Sequence, residues 1–227
     1  METQISMPDL LQFYAELAVN NEKKWFDARK PHYLAIKSYY ENLGMEIAAG
    51  IAKYDKDVAG LGPKDITWRI YQDQRFYGRP PYKTWCGLFF AKGGRKSHYA
   101  GYYLHIEPGQ NEYFLCAGLW REEKLIIKSV REEIMLNGPQ FDKVANPGKG
   151  WQLMWDGALT RPAQGWPDDK PYSKYFRLKQ FLIMKPIDTD YLLRPDLAAR
   201  VAADFKTAAP FNQYLNRPVD YAIEEWM

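Results

Sequence analysis

The chain has 227 residues, of which 46% are hydrophobic and 26% charged, and its formal net charge is +3. A chain of this length can bury a substantial core without metals or disulfides, and its composition is that of a globular protein and not of a disordered one. The small net charge gives no bulk electrostatic argument for nucleic-acid binding. Because the composition changes gradually, without repeats or a Gly/Ser linker, we expect a single domain over residues 1–227.

The first helices are predicted by capping signals and apolar periodicity. Ser6-Met-Pro-Asp9 has the form of a capping box, and apolar residues at helical spacing follow it as far as Asn20-Asn21. The spacing resumes at Trp25 and continues to about Tyr54, which predicts a long helix over residues 22–54. Pro31 is expected to kink this helix or to mark its true start.

The periodicity then changes from that of a helix to that of a strand. Ile66, Trp68 and Ile70 alternate, so we predict a strand with these three on one face and Arg69 on the other. Further runs rich in Tyr, Phe and Leu, separated by Gly-Gly and Pro-Gly turns, predict an antiparallel meander. The predicted runs are residues 85–91, 99–106 and 112–119, with a later strand centred on residues 181–184.

The second half of the chain adds helices. Residues 122–136 have helical spacing, and Asn137-Gly-Pro139 is expected to end that helix. Residues 188–227 are interpreted as helices broken at Pro195, Pro210 and Pro218. The predicted fold class is therefore α+β, with an antiparallel sheet of about five strands packed against the long N-terminal helix and the C-terminal helices.

The N-terminus and the cysteines bear on location. Residues 1–4 lack the basic and apolar regions of a signal peptide, and no apolar run approaches the ~18 residues of a membrane span. Cys86 and Cys116 lie in apolar, strand-like surroundings, and we interpret them as buried thiols, which are typical of a reducing compartment. We therefore expect a cytoplasmic protein without a membrane partner.

The common catalytic signatures are absent from the sequence. Gly93-Gly-Arg-Lys-Ser97 is similar to the end of a phosphate-binding loop, but position 89 is Phe and a strand follows instead of a helix. There is no Cys-x-x-Cys motif and no Gly-x-Ser-x-Gly elbow. His32, His98 and His105 have no metal-ligand spacing such as His-x-x-x-His, and a structural role or a solvated one is favoured for each. We expect no metal and no cofactor.

Residues 69–84 differ from an ordinary surface loop, because four cations (Arg69, Arg75, Arg79 and Lys83) surround one acid, Asp73. Guanidinium and ammonium groups match carboxylate or phosphate oxygens, and one carboxylate cannot neutralise four cations. The leading hypothesis is therefore a site for a small anionic ligand, phosphorylated or carboxylated. The alternative is an internal network in which Asp73 bridges Arg69 and Arg75, with no ligand.

The hypothesis gives each residue a role. Arg69, Arg75 and Lys83 would hold the anion, while Asp73 would orient the arginines or act as a base, and Tyr82 would form a wall or donate a proton. The sequence therefore does not decide whether the protein is an enzyme, and Asp73 and Tyr82 are the candidate catalytic residues. A second basic group, Arg161, Arg177 and Lys179, is expected to approach the same site if the late strand joins the sheet. The full candidate set is Arg69, Asp73, Arg75, Arg79, Tyr82, Lys83, Arg161 and Lys179.

A different class of function is also compatible with this segment. Residues 69–96 contain seven aromatic residues among seven cations, a mixture suited to stacking on bases while holding phosphates. The alternative is thus a non-catalytic module that binds single-stranded nucleic acid. The sequence does not indicate an oligomeric state.

The central motif resembles that of a known family. Arg69-Ile-x-x-Asp73-x-Arg75-Phe76, followed by Pro81-Tyr82-Lys83-Thr84, is similar to the motif of the conserved hypothetical proteins grouped as domain-of-unknown-function family 2461. Other marks follow in the family's order, over about residues 8–215: Asn20-Asn21, Trp25-Phe26, Tyr33, Ala117-Gly118, Leu125, Arg131, Leu159-x-Arg161-Pro162-x-x-Gly165 and Lys179-x-Phe181. Arg79-Pro80 departs from the family pattern by lacking an acid or polar residue, which makes this loop more basic. The family name implies no activity.

Overall fold

The computed structural model of the chain describes residues 5–73, 78, 80–120 and 123–226, with only the backbone of Trp226. Within them, one antiparallel sheet of five strands has the order β1-β2-β3-β5-β4. The strands are β1 (Cys86–Phe90), β2 (Gly101–Glu107), β3 (Glu112–Leu119), β4 (Gln152–Leu153) and β5 (Phe181–Pro186). The α-helices are α1 (Met7–Val19), α2 (Lys23–Ile51), α3 (Pro63–Ile66), α4 (Lys124–Ala145), α5 (Thr189–Leu192) and α6 (Leu197–Trp226). The predicted α+β class and the meander of β1, β2 and β3 are confirmed.

The predicted strand over residues 66–71 is wrong. Pro63–Ile66 forms the short helix α3, whose start is fixed by Pro63 and by the Asp65 carboxylate, which accepts a hydrogen bond of 2.8 Å from the Gly62 N–H. Beyond it, the segment makes only isolated bridges, Thr67 to Leu88 and Tyr71 to Tyr82. The fifth strand of the sheet is instead β4, which has two residues and pairs with β5.

Helix α1 begins where the capping box predicted. Ser6 is its N-cap, and the Asp9 carboxylate accepts hydrogen bonds from the Ser6 N–H at 2.8 Å and from the Ser6 hydroxyl at 2.5 Å. These two bonds lower the pKa of Asp9 below its ordinary value. The carboxylate therefore satisfies a backbone donor that the first helical turn leaves without an intrahelical partner.

The predictions about proline have mixed outcomes. Helix α2 begins at Lys23, well before Pro31, which lies inside it. Pro31 therefore does not mark the start of the helix, and the alternative of a kink stays a prediction. Helix α6 includes both Pro210 and Pro218, where breaks were expected. A proline in a helix interior removes one hydrogen bond and crowds the preceding turn, but burial of an apolar face outweighs that local cost. The face of α6 in the core comprises Val201, Phe205, Ala208, Phe211, Leu215, Val219 and Ala222.

Helix α4 bends where the sequence predicted an end. Asn137 has non-helical dihedral angles (φ −126°, ψ 38°), and the chain resumes helical structure beyond this kink as far as Ala145. Asn137-Gly-Pro139 thus ends the first helical segment, as the sequence predicted, and a second segment follows directly. In the second segment Phe141 and Ala145 are buried in the core. The predicted start at Glu122 lies outside the described residues.

The two faces of the sheet have different surroundings. Leu88, Leu104 and Leu115 lie on one face within the hydrophobic core, which also contains residues of α1, α2, α4 and α6. On the other face is a group of rings that we call the aromatic face: Trp68, Trp85, Phe89, Tyr103, His105 and Phe114. Most of these side chains are half-buried, and they contact one another. The sequence assigned Trp68 to the same face as Ile66 and Ile70, but only the two isoleucines are in the core.

Cys86 and Cys116 are buried free thiols, as predicted. Burial raises the pKa of both, that of Cys116 to about 12. In the described part of the chain, no helix combines the length and the apolar character needed to span a membrane.

Candidate functional site

We call residues 69–84 the basic loop, and its described parts are the two arms of a short hairpin. Its two arms pair through backbone hydrogen bonds from Gln72 N to Pro81 O (2.9 Å) and from Lys83 N to Ile70 O (2.8 Å). The tip contains Arg75, Phe76 and Arg79, which lie outside the described residues. The structure therefore locates the arms of the predicted site and leaves the contribution of these two arginines as a prediction.

Tyr82 occupies a structural position in the second arm. Its ring is 3% exposed and stacks on Phe26 of α2, with 4.1 Å between the ring centroids. The Asn21 side chain pairs with its backbone on both sides, donating to Tyr82 O at 2.8 Å and accepting from Tyr82 N at 3.1 Å. Burial raises the pKa of the Tyr82 hydroxyl. The ring anchors the loop to α2, and its predicted role as a proton donor remains a prediction.

Lys83 crosses to the first arm. Its Nζ donates hydrogen bonds to Arg69 O at 2.5 Å and to Tyr71 O at 3.2 Å, and lies 5.7 Å from the centroid of the Trp85 ring. Burial lowers the pKa of Lys83, and the charges of Arg69 and Arg95 lower it further. The ammonium is thus fixed in position among other cations.

Arg95, which the candidate set omitted, belongs to this group. Its Nε donates to Lys64 O at 3.2 Å, and its backbone N–H donates to Asp65 O at 2.8 Å. Gly93 and Gly94 have positive φ angles, so the turn can bring Arg95 back toward α3. We call Arg69, Lys83 and Arg95 the edge cations, because they lie beside β1, which is an edge strand of the sheet. The sequence signal for Arg95 was the basic turn after β1.

Within the described residues, no carboxylate forms a salt bridge with any of the edge cations. Asp73, the one acid in the loop, is half-buried at the end of the first arm. Its predicted action on the arginines involves a tip that is largely outside the described residues and stays a prediction.

A narrow cleft separates Arg69 and Lys83 from α2. It is lined by Lys37, Tyr33 and Tyr40 on the helix, and by Arg69, Lys83 and Trp85 on the sheet side. The space open to the centre of a water molecule is about 10 Å³, which is the space of about one water. The cleft can hold one small polar group but not a whole metabolite.

A larger concavity lies between α1 and α2 and measures about 490 Å³. Its lining has mixed charge, since Asp9 and Glu16 face Arg29 and His32. Arg29 and Glu16 are 3.8 Å apart and are both substantially exposed. This balance of charge gives no attraction for an anion comparable to that of the edge cations.

The second basic group does not approach the first. Lys179 precedes β5, whose first residue pairs with Leu119 at the end of β3, whereas Lys83 precedes β1 near the β2–β3 turn. Strands β2 and β3 separate β1 from β5, a distance of about 14 Å across the sheet. Arg161 is exposed in a segment that pairs with residues 176–177, beside β5. Arg161 and Lys179 thus belong to a different part of the surface from Lys83.

The aromatic face lies beside Lys83, whose Nζ is 5.7 Å from the centroid of the Trp85 ring. The Trp68 ring is 6.1 Å from Trp85 and 5.7 Å from Tyr103, and the Trp85 ring is 5.6 Å from His105. His105 in turn stacks on Phe114 at 4.7 Å. The rings form a continuous apolar surface beside a positively charged edge.

His105 also belongs to a polar cluster where this face reaches the β2–β3 turn. Its Nε2 lies 3.3 Å from Glu107 Oε2, and its Nδ1 lies 2.9 Å from the Tyr103 hydroxyl. Burial lowers the pKa of His105, against the opposing effect of Glu107. Sequence reasoning missed this cluster because it looked for paired histidines. The available signal was a His-x-Glu alternation in a strand, followed after a short turn by Glu112.

Comparison with known proteins identifies the family. The model of a family described as "Conserved hypothetical protein (DUF2461)" matches residues 9–214. The chain belongs to this DUF2461 family. No curated protein and no solved structure matches the chain. The family match confirms the resemblance of the central motif, and the family description assigns no activity, so any function must be argued from the site.

Proposed function

We propose that this DUF2461 protein binds a small anionic ligand, phosphorylated or carboxylated, at the edge cations. The observation that carries the proposal is the position of Lys83. Its ammonium is held by two backbone carbonyls beside Arg69 and Arg95, and no described carboxylate forms a salt bridge with the three. Fixed like charges repel each other, and a bound anion would offset that repulsion.

The lowered pKa of Lys83 supports the same proposal. The shift shows that the surroundings of Lys83 disfavour its charged form. An anion bound beside it would favour the charged form and raise the pKa. Lys83 and Arg69 supply a point charge and a planar fork of donors respectively, and both are suited to phosphate or carboxylate oxygens.

The shape of the site restricts the ligand. The cleft beside Lys83 has room for about one small polar group, so the remainder of a ligand must lie outside it. Trp68 and Trp85 flank the cleft on the side of the aromatic face. We therefore propose that the anionic group lies at the cleft and that a flat or apolar part of the ligand packs on these two rings.

The other predicted residues have narrower roles in this proposal. Tyr82 holds the second arm against Phe26, so it positions Lys83 and does not contact the ligand. Arg75, Arg79 and Asp73 would act from the tip of the loop, as the sequence predicts. Arg161 and Lys179 are not included, because they belong to a different part of the surface.

Isothermal titration with inorganic phosphate and with a nucleoside 5′-monophosphate tests the proposal. We expect both to bind the unmodified chain, and the monophosphate to bind more tightly because its base can pack on Trp68 and Trp85. Lys83→Ala and Arg69→Ala should each weaken both ligands by about tenfold or more, since a hydrogen bond to a charged group contributes about 1.5–3 kcal/mol. Trp68→Ala should remove the advantage of the monophosphate and leave phosphate affinity unchanged.

Lys206→Ala is the matched control. Lys206 is an exposed cation on α6, so its removal changes the net charge equally without touching the edge cations. Equal weakening in Lys206→Ala and Lys83→Ala would show that only net charge matters and would overturn the proposal. Absence of binding by both anions would overturn it as well.

The aromatic face favours one alternative, the binding of single-stranded nucleic acid. Successive bases can stack on rings such as Trp68, Trp85 and Phe114 while the edge cations hold phosphates. With three phosphates contacted, the logarithm of the binding constant should fall with the logarithm of salt concentration with a slope of about −2. Affinity that rises with oligonucleotide length would favour this alternative, whereas affinity equal to that of the mononucleotide would favour the small ligand.

We also propose a cytoplasmic location and a single domain over residues 1–227. Both cysteines are free and buried, which supports a reducing compartment. One core cluster contains residues from Met7 in α1 to Ala222 in α6, which supports a single domain. Limited proteolysis tests the second point, because a single domain should yield no stable fragment.

A further inference from the structure

We propose that His105, Glu107 and Glu112 form a binding site for one divalent first-row transition-metal ion. The site is distinct from the edge cations and does not depend on the proposed anion binding. It also departs from the expectation of no metal, which rested on the absence of Cys-x-x-Cys and on the spacing of the histidines.

The strand geometry places the three side chains together. His105 and Glu107 are two residues apart in β2, so their side chains share one face of the sheet. Glu112 is the direct cross-strand partner of Glu107 at the start of β3. The 3₁₀ turn Pro108–Gln110 and Asn111, which has a left-handed conformation (φ 51°), connect the strands and fix this register.

The donor atoms are close enough for one ion. The imidazole nitrogen and the two carboxylate oxygens all lie within 4.8 Å of one another. Bonds of about 2.1 Å from a metal to N and O ligands require donor separations of ~3.0–3.4 Å. His105 Nε2 and Glu107 Oε2, which are 3.3 Å apart, already meet that requirement. Glu112 is exposed and can close the remaining distance by rotating its side chain.

Neighbouring residues hold these ligands in the way that metal sites require. The hydroxyl of Tyr103 lies 2.9 Å from His105 Nδ1, so its oxygen can accept a hydrogen bond from Nδ1–H. In that tautomer the lone pair of Nε2 is available to the ion. The Thr84 hydroxyl donates to Glu107 Oε1 at 2.8 Å, which leaves Oε2 facing His105. Such outer partners orient metal ligands and raise their affinity. Phe114 further fixes the imidazole plane by stacking on it.

The negative charges of Glu107 and Glu112 also favour a cation at this position. Carboxylates directly opposite each other on neighbouring strands destabilise a sheet. Within the described residues, neither Glu107 nor Glu112 forms a salt bridge with a lysine or an arginine. A bound divalent ion would neutralise both carboxylates. The alternative role, a hydrogen bond between His105 and Glu107 that serves structure alone, does not use Glu112.

The ligand set selects the class of metal. Magnesium and calcium prefer oxygen ligands alone, whereas one imidazole with two carboxylates suits ions from manganese to zinc. Three protein ligands leave at least one coordination position for water or another ligand. The site borders Trp85, whose ring is 5.6 Å from that of His105, so a paramagnetic ion there should quench indole fluorescence.

Titration of the full chain, first stripped with a chelator, tests the proposal. We expect one Zn²⁺ per chain by calorimetry, and one Co²⁺ with quenching of tryptophan emission. Glu107→Gln and Glu112→Gln should each weaken Zn²⁺ binding by more than tenfold, because each removes a ligand charge. Tyr103→Phe should weaken it by about 10- to 100-fold, the usual effect of losing an outer partner.

Glu46→Gln, which alters an exposed carboxylate on α2, is the matched control and should bind Zn²⁺ like the unmodified chain. Circular dichroism of Glu112→Gln checks that the fold is retained, which is expected because that side chain is exposed. Absence of saturable binding in the unmodified chain would overturn the proposal. Equal binding in the chains with and without the Glu107→Gln and Glu112→Gln changes would place the ion elsewhere and overturn it too.

Discussion

The Asn21 side chain substitutes for a neighbouring strand by pairing with both the N–H and the C=O of Tyr82, at 3.1 Å and 2.8 Å. Asn21 lies between α1 and α2, and Tyr82 lies 61 residues later in the second arm of the basic loop. The pair joins the helical layer to the loop that carries Lys83. The position of Lys83 therefore depends in part on Asn21, which fixes the backbone of the residue before it.

Asn21→Ala should lower the free energy of unfolding by about 1–3 kcal/mol, because it leaves the part-buried Tyr82 N–H without a partner. The Tyr82 carbonyl keeps one donor, Gln72 Nε2, at 3.3 Å. Urea denaturation measures the loss, and hydrogen exchange at the Tyr82 amide should become faster. Asn20→Ala is the control. The exposed Asn20 side chain donates only to Glu16 O at 2.8 Å, so its removal should change stability by about 0.5 kcal/mol or less. Equal losses in the two variants would contradict the anchoring role of Asn21.

Two substitutions of Tyr82 separate the structural role of its ring from a role of its hydroxyl in binding. Because the ring stacks on Phe26 and is 3% exposed, Tyr82→Phe should keep the fold and change anion affinity by less than about twofold, which is about 0.4 kcal/mol. Tyr82→Leu should destabilise the protein by at least about 1 kcal/mol, because it removes an aromatic pair. Binding titrations and urea denaturation give the two measurements. A large loss of anion binding in Tyr82→Phe would instead indicate that the hydroxyl contacts the ligand.

The titration of Lys83 should make anion affinity fall as the pH rises. Its pKa is lowered in the folded chain by burial and by the charges of Arg69 and Arg95. The unfolded chain therefore binds this proton more tightly, and folding stability should rise as pH increases from the folded pKa toward about 10.4. Anion affinity should fall over the same range, because the neutral amine no longer attracts the ligand.

NMR of ¹³C-methylated lysines can follow this titration directly. Arg95→Gln should raise the pKa of Lys83 by removing one of the charges that lower it. Arg194→Gln changes net charge equally, at an exposed residue that pairs with Asp196, and should leave the pKa of Lys83 as it was. A Lys83 pKa that does not respond to the loss of Arg95 would contradict the proposed grouping of the edge cations.

The sequence predicted the elements whose signals are local and missed the relationships that are not. The α1 capping box and the Tyr-, Phe- and Leu-rich runs of β1, β2 and β3 depend on neighbouring residues, so those elements were found. The Asn21–Tyr82 pair joins distant residues, and β4 is too short to show a period. In the candidate site, Lys83 and Arg69 were found by their charge. The hydrogen bond from Lys83 Nζ to Arg69 O and the proximity of Arg95 join residues that are distant in sequence, so only the structure shows them.

Helix α6 shows the same limit in energetic terms. Pro210 indicates a break when only its own turn is considered, since proline is less favourable than alanine in a helix interior by about 3 kcal/mol. Tertiary burial opposes this cost, and Ala208, Phe211 and Leu215 on either side of Pro210 are all buried. The helix propensity of proline thus predicts an unfavourable free energy at Pro210, but the helix break inferred from it is wrong.

That cost can be measured, because Pro210 is exposed within α6. Pro210→Ala restores an N–H that can donate to the preceding turn, at the expense of greater freedom in the unfolded chain of about 1 kcal/mol. We expect a net stabilisation of about 2 kcal/mol in urea denaturation. Pro195→Ala, in the turn between α5 and α6, should instead destabilise by up to about 1 kcal/mol, because there proline restricts only the unfolded chain. A loss of stability in both variants would show that the packing of α6 depends on Pro210.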